Sequence, residues 1–346
     1  AVIQKQDPVL PVKPDFTVED VQFNILHNAK EHHTHEYSIC EKGQGLVVRR
    51  GQWFDITIEL NKEFDPNQDD LKLVFLAGNN PTPTKGTRVS LILSDKDEAK
   101  DWGAWILKNE QKKLSVRITT PPTCYVGVWK LHIESIKKSD NINVIFEYTH
   151  DEGIYIIFNP WCKDDQVYLP DSSLLEEYIL NDTGKIYMGN EKQICGKKWN
   201  FAQFEDNILD CAMYLLDTFV PSWAVRGDPV KMSRKLTALV SVKMSRKLTA
   251  LVSVKMSRKL TALVSVKMSR KLTALANCQD EGGILTGNWS GDYKGGTSPL
   301  QWVGSEAILK EYYKTKKPVC YGQCWVFSGV LTTRMFTIFF LVLRSI

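Results

Sequence analysis

Between residues 15 and 150 the chain is written in short alternating runs, and this pattern constrains the fold more than any other stretch. The runs are Val21 to Leu26, Gly45 to Arg49, Trp53 to Leu60, Lys72 to Leu76, Arg88 to Leu93, Leu114 to Ile118, Gly127 to Ile133 and Val144 to Tyr148. Turn clusters separate them, among them Gly78-Asn79-Asn80-Pro81, Lys85-Gly86 and Thr120-Pro121-Pro122. Successive side chains of a strand face opposite sides, so each run can bury one face and wet the other. Strands this short, interrupted this often, predict two packed sheets: an immunoglobulin-like β-sandwich over residues 15–150. Residues 1–14, with Pro8, Pro11 and Pro14, read as an extended arm ahead of it.

At Ile154 the texture changes. From Phe204 to Phe219, residues Ile208, Leu209, Met213, Leu215 and Leu216 recur at helical spacing and predict a buried stripe that ends before Pro221. Later, Tyr321-Gly322-Gln323-Cys324-Trp325 leads into the apolar run Val326, Phe327, Val330 and Leu331. A glycine-containing turn followed by such a run puts Cys324 in the first turn of a buried helix. Unpaired backbone N–H groups and the positive end of the helix dipole favour a thiolate there. A cysteine so placed is a candidate nucleophile, with Trp325 screening its sulfur from bulk water; the alternative is an inert core thiol.

Charge excludes one class of partner once a repeat is set aside. Val-Lys-Met-Ser-Arg-Lys-Leu-Thr-Ala-Leu-Val begins at 230, 242, 254 and, ending in Ala276, at 266, a period of 12. The formal net charge is +4, but residues 230–276 hold 12 basic residues and no acid, and the remainder carries 32 basic against 40 acidic residues. An acidic body argues against nucleic acid as a partner and is compatible with calcium. Twelve helical residues leave a remainder of about 120°, so successive apolar faces cannot form one stripe. One helix through all the copies would reach about 70 Å, so part of it is expected to project or fray. A basic amphipathic segment touching an anionic membrane is one reading; duplication without a shaped interface is the other.

The eight cysteines show no metal-ligand spacing and read as reduced cytosolic thiols, which leaves the sequons at Asn181 and Asn288 unmodified. Glu31-His32-His33-Thr34-His35-Glu36 reads as a solvated loop rather than a metal site, and His27, His132 and His150 as isolated surface or strand residues. Arg226-Gly227-Asp228 spells an integrin tripeptide, but Asp228-Pro229 before a helical run is the pattern of an N-cap. The chain starts at Ala1 without a basic-then-apolar leader, which suggests a fragment with no secretory signal. Arg334 to Leu343 is apolar without helical pattern, too short to span a bilayer, and reads with the rest of 334–346 as an unrelated, aggregation-prone tail.

Tyr321 to Ser328 closely resembles the active-site peptide of the transglutaminases. Leu46 to Gln52, Phe158 to Cys162, Glu176 to Tyr187, Trp199 to Asp206, Gly287 to Tyr293 and Ser298 to Ser305 are similar to other parts of that family. The resemblance runs from about residue 15 to Thr333, apart from the repeat. It implies an α+β multidomain protein: the sandwich, then a partial papain-like cysteine-nucleophile α/β core over 151–333, with the helical repeat inserted. It implies that Cys324 takes the acyl group of a protein glutamine, that Trp289 donates its indole N–H to the oxyanion, and that Trp199 lies near the acyl-donor site. It further implies Ca2+ held by the Ala274 carbonyl, Asn277, Gln279 and Glu281, in a loop where the last two are longer than the family's usual Asn or Asp. The implied partners are proteins with accessible Gln and Lys, and small primary amines.

The chemistry is incomplete in these residues. A cysteine acyl-transfer site needs a base and a group to orient it, and the family's His and Asp follow the nucleophile. Only 22 residues follow Cys324, none His or Asp, and all six histidines lie at or before 150. The expectation is therefore a chain of this family with little or no turnover. A non-catalytic binding or structural protein of the same type is the alternative, and a papain-like thiol protease, whose nucleophile helix Gly322-Gln323-Cys324-Trp325 also resembles, is the third.

Overall fold

A computed structural model describes residues 16–95, 101–137, 143–189, 193–232 and 283–338. The alternating runs form β1 (Val18–Gln22), β2 (Leu46–Arg49), β3 (Trp53–Leu60), β4 (Asp69–Ala77), β5 (Arg88–Ile92), β6 (Gly103–Glu110), β7 (Lys113–Thr119), β8 (Gly127–Lys137) and β9 (Asn143–Ile157), with the short helices α1 (Ile25–Glu31) and α2 (Ser38–Glu41) between β1 and β2. One sheet has the order β1-β3-β7-β6 and the other β2-β9-β8-β4-β5. Within these two sheets β2 and β9 pair in parallel; the remaining neighbours are antiparallel. Phe54, Ile56 and Ile58 of β3 and Leu114, Val116 and Ile118 of β7 share one apolar core with Leu71, Leu73 and Phe75 of β4 and Leu131 and Ile133 of β8.

Three local expectations change. The first run stops at Gln22, because Asn24 takes a left-handed conformation (φ 46°) and the chain turns into α1. β6 has no counterpart among the expected runs: a bulge between Ile106 and Lys108 breaks its alternation, and its last four residues are exposed. His32 is fully buried rather than part of a solvated loop. Its Nε2 lies 2.9 Å from the Trp53 carbonyl and its Nδ1 accepts from Arg49 N at 2.9 Å. That acceptor role requires a neutral ring, and burial lowers the imidazole pKa to about 3.

Beyond the sandwich come α3 (Ser172–Leu175), β10 (Thr183–Gly189), β11 (Ile194–Asn200), α4 (Ile208–Phe219), α5 (Trp223–Arg226), β12 (Leu285–Gly287), α6 (Glu306–Thr315), β13 (Val319–Gly322) and α7 (Cys324–Ile338). Helix α4 is buried on two sides rather than along one stripe. Leu209, Ala212, Met213 and Leu216 pack with Val47, Val126, Ile157 and Phe158 against the sandwich. Ile208, Cys211 and Leu215 pack with Val326, Phe327 and Val330 of α7. The apolar stretch after Thr333 begins as more of this helix: α7 continues to Ile338, and Thr337 is buried.

Arg226-Gly227-Asp228 is structural. Arg226 is buried, its guanidinium 2.8 Å from Asp217 and its Nε donating to Val220 O. Asp228 Oδ1 accepts from Lys231 N at 2.9 Å, as an N-cap does. The arm 1–14, the repeat from 233 onward, the residues Ala274, Asn277, Gln279 and Glu281, and the tail from 339 lie outside the described residues.

One buried ion pair ties the sandwich to the segment beyond β9. Arg50 Nε and one terminal nitrogen each donate at 2.7 Å to the two oxygens of Asp165, and both side chains are essentially inaccessible.

These buried groups have measurable consequences. Asp165→Asn, which strands the Arg50 charge, is expected to lower unfolding free energy in urea by about 3–5 kcal/mol. Glu59→Gln, which breaks the exposed pair with Lys113, should cost no more than about 1 kcal/mol. The unfolded chain protonates His32 near pH 6.5 and the folded chain does not until about pH 3. Stability is therefore expected to fall as pH drops below about 6.5, and His32→Gln to lose that part of the slope, as read from urea midpoints across about pH 3–8.

Candidate active site

The start of α7 is fixed by the strands that lead to it. β12 and β13 pair in parallel, Leu285 with Val319, Thr286 with Cys320 and Gly287 with Gly322, and Asn288 N donates to Gly322 O at 3.1 Å. Both chains leave this ladder at the same end. One goes on through Asn288 to Trp289, the other through Gln323 to Cys324.

Cys324 is the first residue of α7, as its sequence context predicts. Gln323 O accepts from Phe327 N at 3.0 Å, the first bond of the helix. The helix is apolar on every side, as suits a core element. Gly329, in its second turn, sits against the Trp199 indole so closely that an added Cβ would fall 2.3 Å from it. Trp199 is fully buried, with Nε1 donating to Ser305 Oγ at 3.0 Å.

Trp289 lies over Gly287, where an added Cβ would come within 2.5 Å of the ring. Its indole is nearly parallel to Phe327, 6.4 Å between centroids and 20° between planes, and Phe327 stands three residues after Cys324. Trp289 is 46% exposed. Trp302 is buried, and its indole N–H donates to Tyr321 O at 2.8 Å.

The electrostatics of Cys324 differ from the reading of its context. Burial raises the thiol pKa above its ordinary value; hydrogen bonds from the backbone N–H groups of Trp325 and Cys324 pull it down but do not win. No ionisable side chain among the described residues contributes. The neighbouring Trp325 Nε1 is buried without a hydrogen-bond partner among the described residues.

Two contacts carry no signal in the sequence pattern. Gln323 Nε2 donates to Asn288 O at 2.9 Å and to Tyr293 Oη at 3.0 Å. Ser305, at the Trp199 indole, is likewise invisible to periodicity. The position of Gln323 beside the cysteine was the one available hint.

The transglutaminase family model for the amino-terminal region matches residues 19–136. Annulin of Schistocerca americana is 36% identical over 92% of this chain and 37% of its own length. Human protein-glutamine gamma-glutamyltransferase K is 37% identical over 88% of this chain and 32% of its own. The crystal structure of red sea bream transglutaminase superposes with a TM-score of 0.69 at 28% identity, covering 93% of this chain and 42% of that one. The chain belongs to the transglutaminase family.

This transglutaminase chain spans between about a third and two fifths of the length of these relatives. Among its described residues no three His, Cys, Asp or Glu side chains gather as a metal site, and no helix is long and apolar enough to cross a membrane. The four residues that the resemblance assigns to calcium, Ala274, Asn277, Gln279 and Glu281, are outside the described part.

The raised thiol has a direct readout. Alkylation of Cys324 by iodoacetamide, followed by peptide mass spectrometry, should rise with pH to a midpoint above the ordinary cysteine value of about 8.5. A midpoint below about 7 would show that the backbone N–H groups outweigh burial.

Proposed function

We propose that this chain carries the nucleophile half of a protein-glutamine gamma-glutamyltransferase site. The Cys324 thiol releases its proton to solvent as its sulfur attacks the side-chain amide carbon of a protein glutamine, and a tetrahedral intermediate forms with its charge on oxygen. The C–N bond breaks, ammonia leaves with a proton taken from solvent or an added acid, and a thioester remains. A lysine or small primary amine then attacks the thioester, giving an isopeptide or amide bond and returning the thiol. The observation that carries this reading is the parallel pairing of β12 and β13, which brings the Trp289 loop and Cys324 out at one end of the same ladder. An indole N–H and the Cys324 backbone N–H are suitable donors for the developing oxyanion.

Turnover is a separate matter. No His or Asp follows Cys324 in the 346 residues, and no ionisable group among the described residues lowers the thiol pKa. General acid–base transfer is worth about 10² to 10⁴ in rate, so these residues by themselves are proposed to be inactive or nearly so. The same raised thiol favours the second reading, a transglutaminase-type binding or structural protein. Calcium enters as a proposal only: the carbonyl, amide and carboxylate oxygens of Ala274, Asn277, Gln279 and Glu281 suit a hard cation. The free thiols among the described cysteines suit a cytosolic setting.

Incorporation of dansylcadaverine into casein, with calcium or with chelator and with Cys324→Ser as control, tests the reading. The expected rate is below that of a full-length relative by about 10² or more; robust Cys324-dependent incorporation would refute the proposed inactivity. Capture of a protein partner that survives Cys324→Ser and chelation would support the binding reading.

A further inference from the structure

We infer that Gln323 is a positioning residue for the oxyanion donor, its side-chain amide stapling the loop that presents Trp289 to the residue before the nucleophile. The inference rests on the proposed role of Trp289 and adds how that ring is held.

The loop from Asn288 to Asp292 is short and exposed at its tip. Within it, Asn288 Oδ1 accepts from Ser290 N and Oγ at 2.9 and 2.7 Å, and Asn288 Nδ2 donates to Asp292 O at 2.8 Å. These bonds give the turn its shape but do not tie it to the nucleophile segment. Gln323 does so from both ends of the turn. The Asn288 carbonyl, one residue before Trp289, and the Tyr293 phenol, just past the turn, both accept from its one amide nitrogen. An amide nitrogen has two hydrogens, so both are committed. Farther along, Tyr321 of the nucleophile strand reinforces the same side: its ring stands 6.2 Å from that of Tyr293, and its hydroxyl donates to Lys294 O at 3.2 Å.

Burial does little of this holding. Trp289 is 46% exposed and packs against Phe327 and Gly287. An exposed ring has several rotamers within reach, and an oxyanion donor must sit within a few tenths of an ångström of its place. Gln323 acts on Trp289 through the loop backbone and does not touch the reacting atoms, so its loss should slow only steps that build charge on a carbonyl oxygen.

Acylation by p-nitrophenyl acetate isolates such a step in the full chain. The Cys324 thiol gives its proton to water or buffer base, the sulfur adds to the acetyl carbon, nitrophenolate leaves without needing a proton, and acetyl-Cys324 remains; the solvent takes the place of a downstream base. Iodoacetamide, which reacts at a saturated carbon and forms no oxyanion, is the control, and both adducts are counted on the Cys324 peptide. Gln323→Ala is expected to slow acylation about tenfold, and Tyr293→Phe less, while alkylation changes by less than about twofold. Trp289→Phe should slow acylation at least as much as Gln323→Ala. Adding Gln323→Ala to Trp289→Phe should then cost little more, since a residue acting through the ring has nothing left to act on.

Equal slowing of both reagents by Gln323→Ala would mean that the start of α7 itself is disturbed, and would overturn the inference. So would effects that simply add in the double variant, or an unchanged acylation rate in both Gln323→Ala and Tyr293→Phe while Trp289→Phe is slow. If Trp289→Phe acylates at the parent rate, the oxyanion role falls, and this inference with it.

Discussion

The buried pair of Arg50 and Asp165 is the constraint from which the rest of the architecture can be traced. Arg50 stands just past β2. Two of its nitrogens bind Asp165, and the third donates to the carbonyls of Cys124 at 2.9 Å and Gly227 at 2.7 Å. One guanidinium thereby joins the end of a sandwich strand, the approach to β8, the segment after α5 and the loop at 165. Asp165 passes the restraint on, accepting from Asn159 N at 3.0 Å and Val167 N at 3.2 Å. A fully paired buried charge of this kind contributes less to net stability than to the choice of one arrangement, because any rival packing leaves it unpaired. Arg49 works beside it without a carboxylate, donating to the carbonyls of His32 and Phe158.

With that junction fixed, α4 becomes the shared wall of two cores, and α7 is laid against it. Helix α7 has almost no polar face to lose. Its threonines return their hydroxyls to carbonyls four residues back, Thr332 to Ser328, Thr333 to Gly329 and Thr337 to Thr333. Such a helix is held by shape, which is why a glycine lies where Trp199 enters. Burial also sets the chemistry of its first residue. The same enclosure that fixes Cys324 withdraws water from its sulfur, and two backbone N–H groups do not make up the loss. In a complete acyl-transfer site a cationic partner supplies the difference; here the described residues supply none to the thiol.

The sequence was most legible where one period and one face governed a segment. β3 begins and ends at Trp53 and Leu60, as its alternation says, and Cys324 opens a helix because a glycine turn runs straight into apolar residues. It was least legible where tertiary contacts decide. Nothing local distinguishes His32 from the polar residues around it, yet a strand carbonyl and an arginine N–H enclose it. β6 loses its pattern to a bulge, and the two-sided burial of α4 cannot be told from a single stripe until its neighbours are known. At the site, the stretches that hold Cys324 and Trp289 were readable as resembling a family motif, from which their proposed roles come. The Gln323 contacts were not, because a glutamine beside a cysteine carries no periodicity and its acceptors are a backbone carbonyl and a phenol 35 and 30 residues away.

The Tyr37 hydroxyl donates to the Thr337 carbonyl at 3.3 Å, across 300 residues of sequence, inside the protein. The Tyr37 and Phe204 rings also meet nearly at right angles, while Leu331 of α7 packs against the same cluster. On the ribosome the amino-terminal segment emerges first and domains tend to fold as they appear. The surface that receives the last turns of α7 therefore exists, apolar and open, long before its occupant is synthesised.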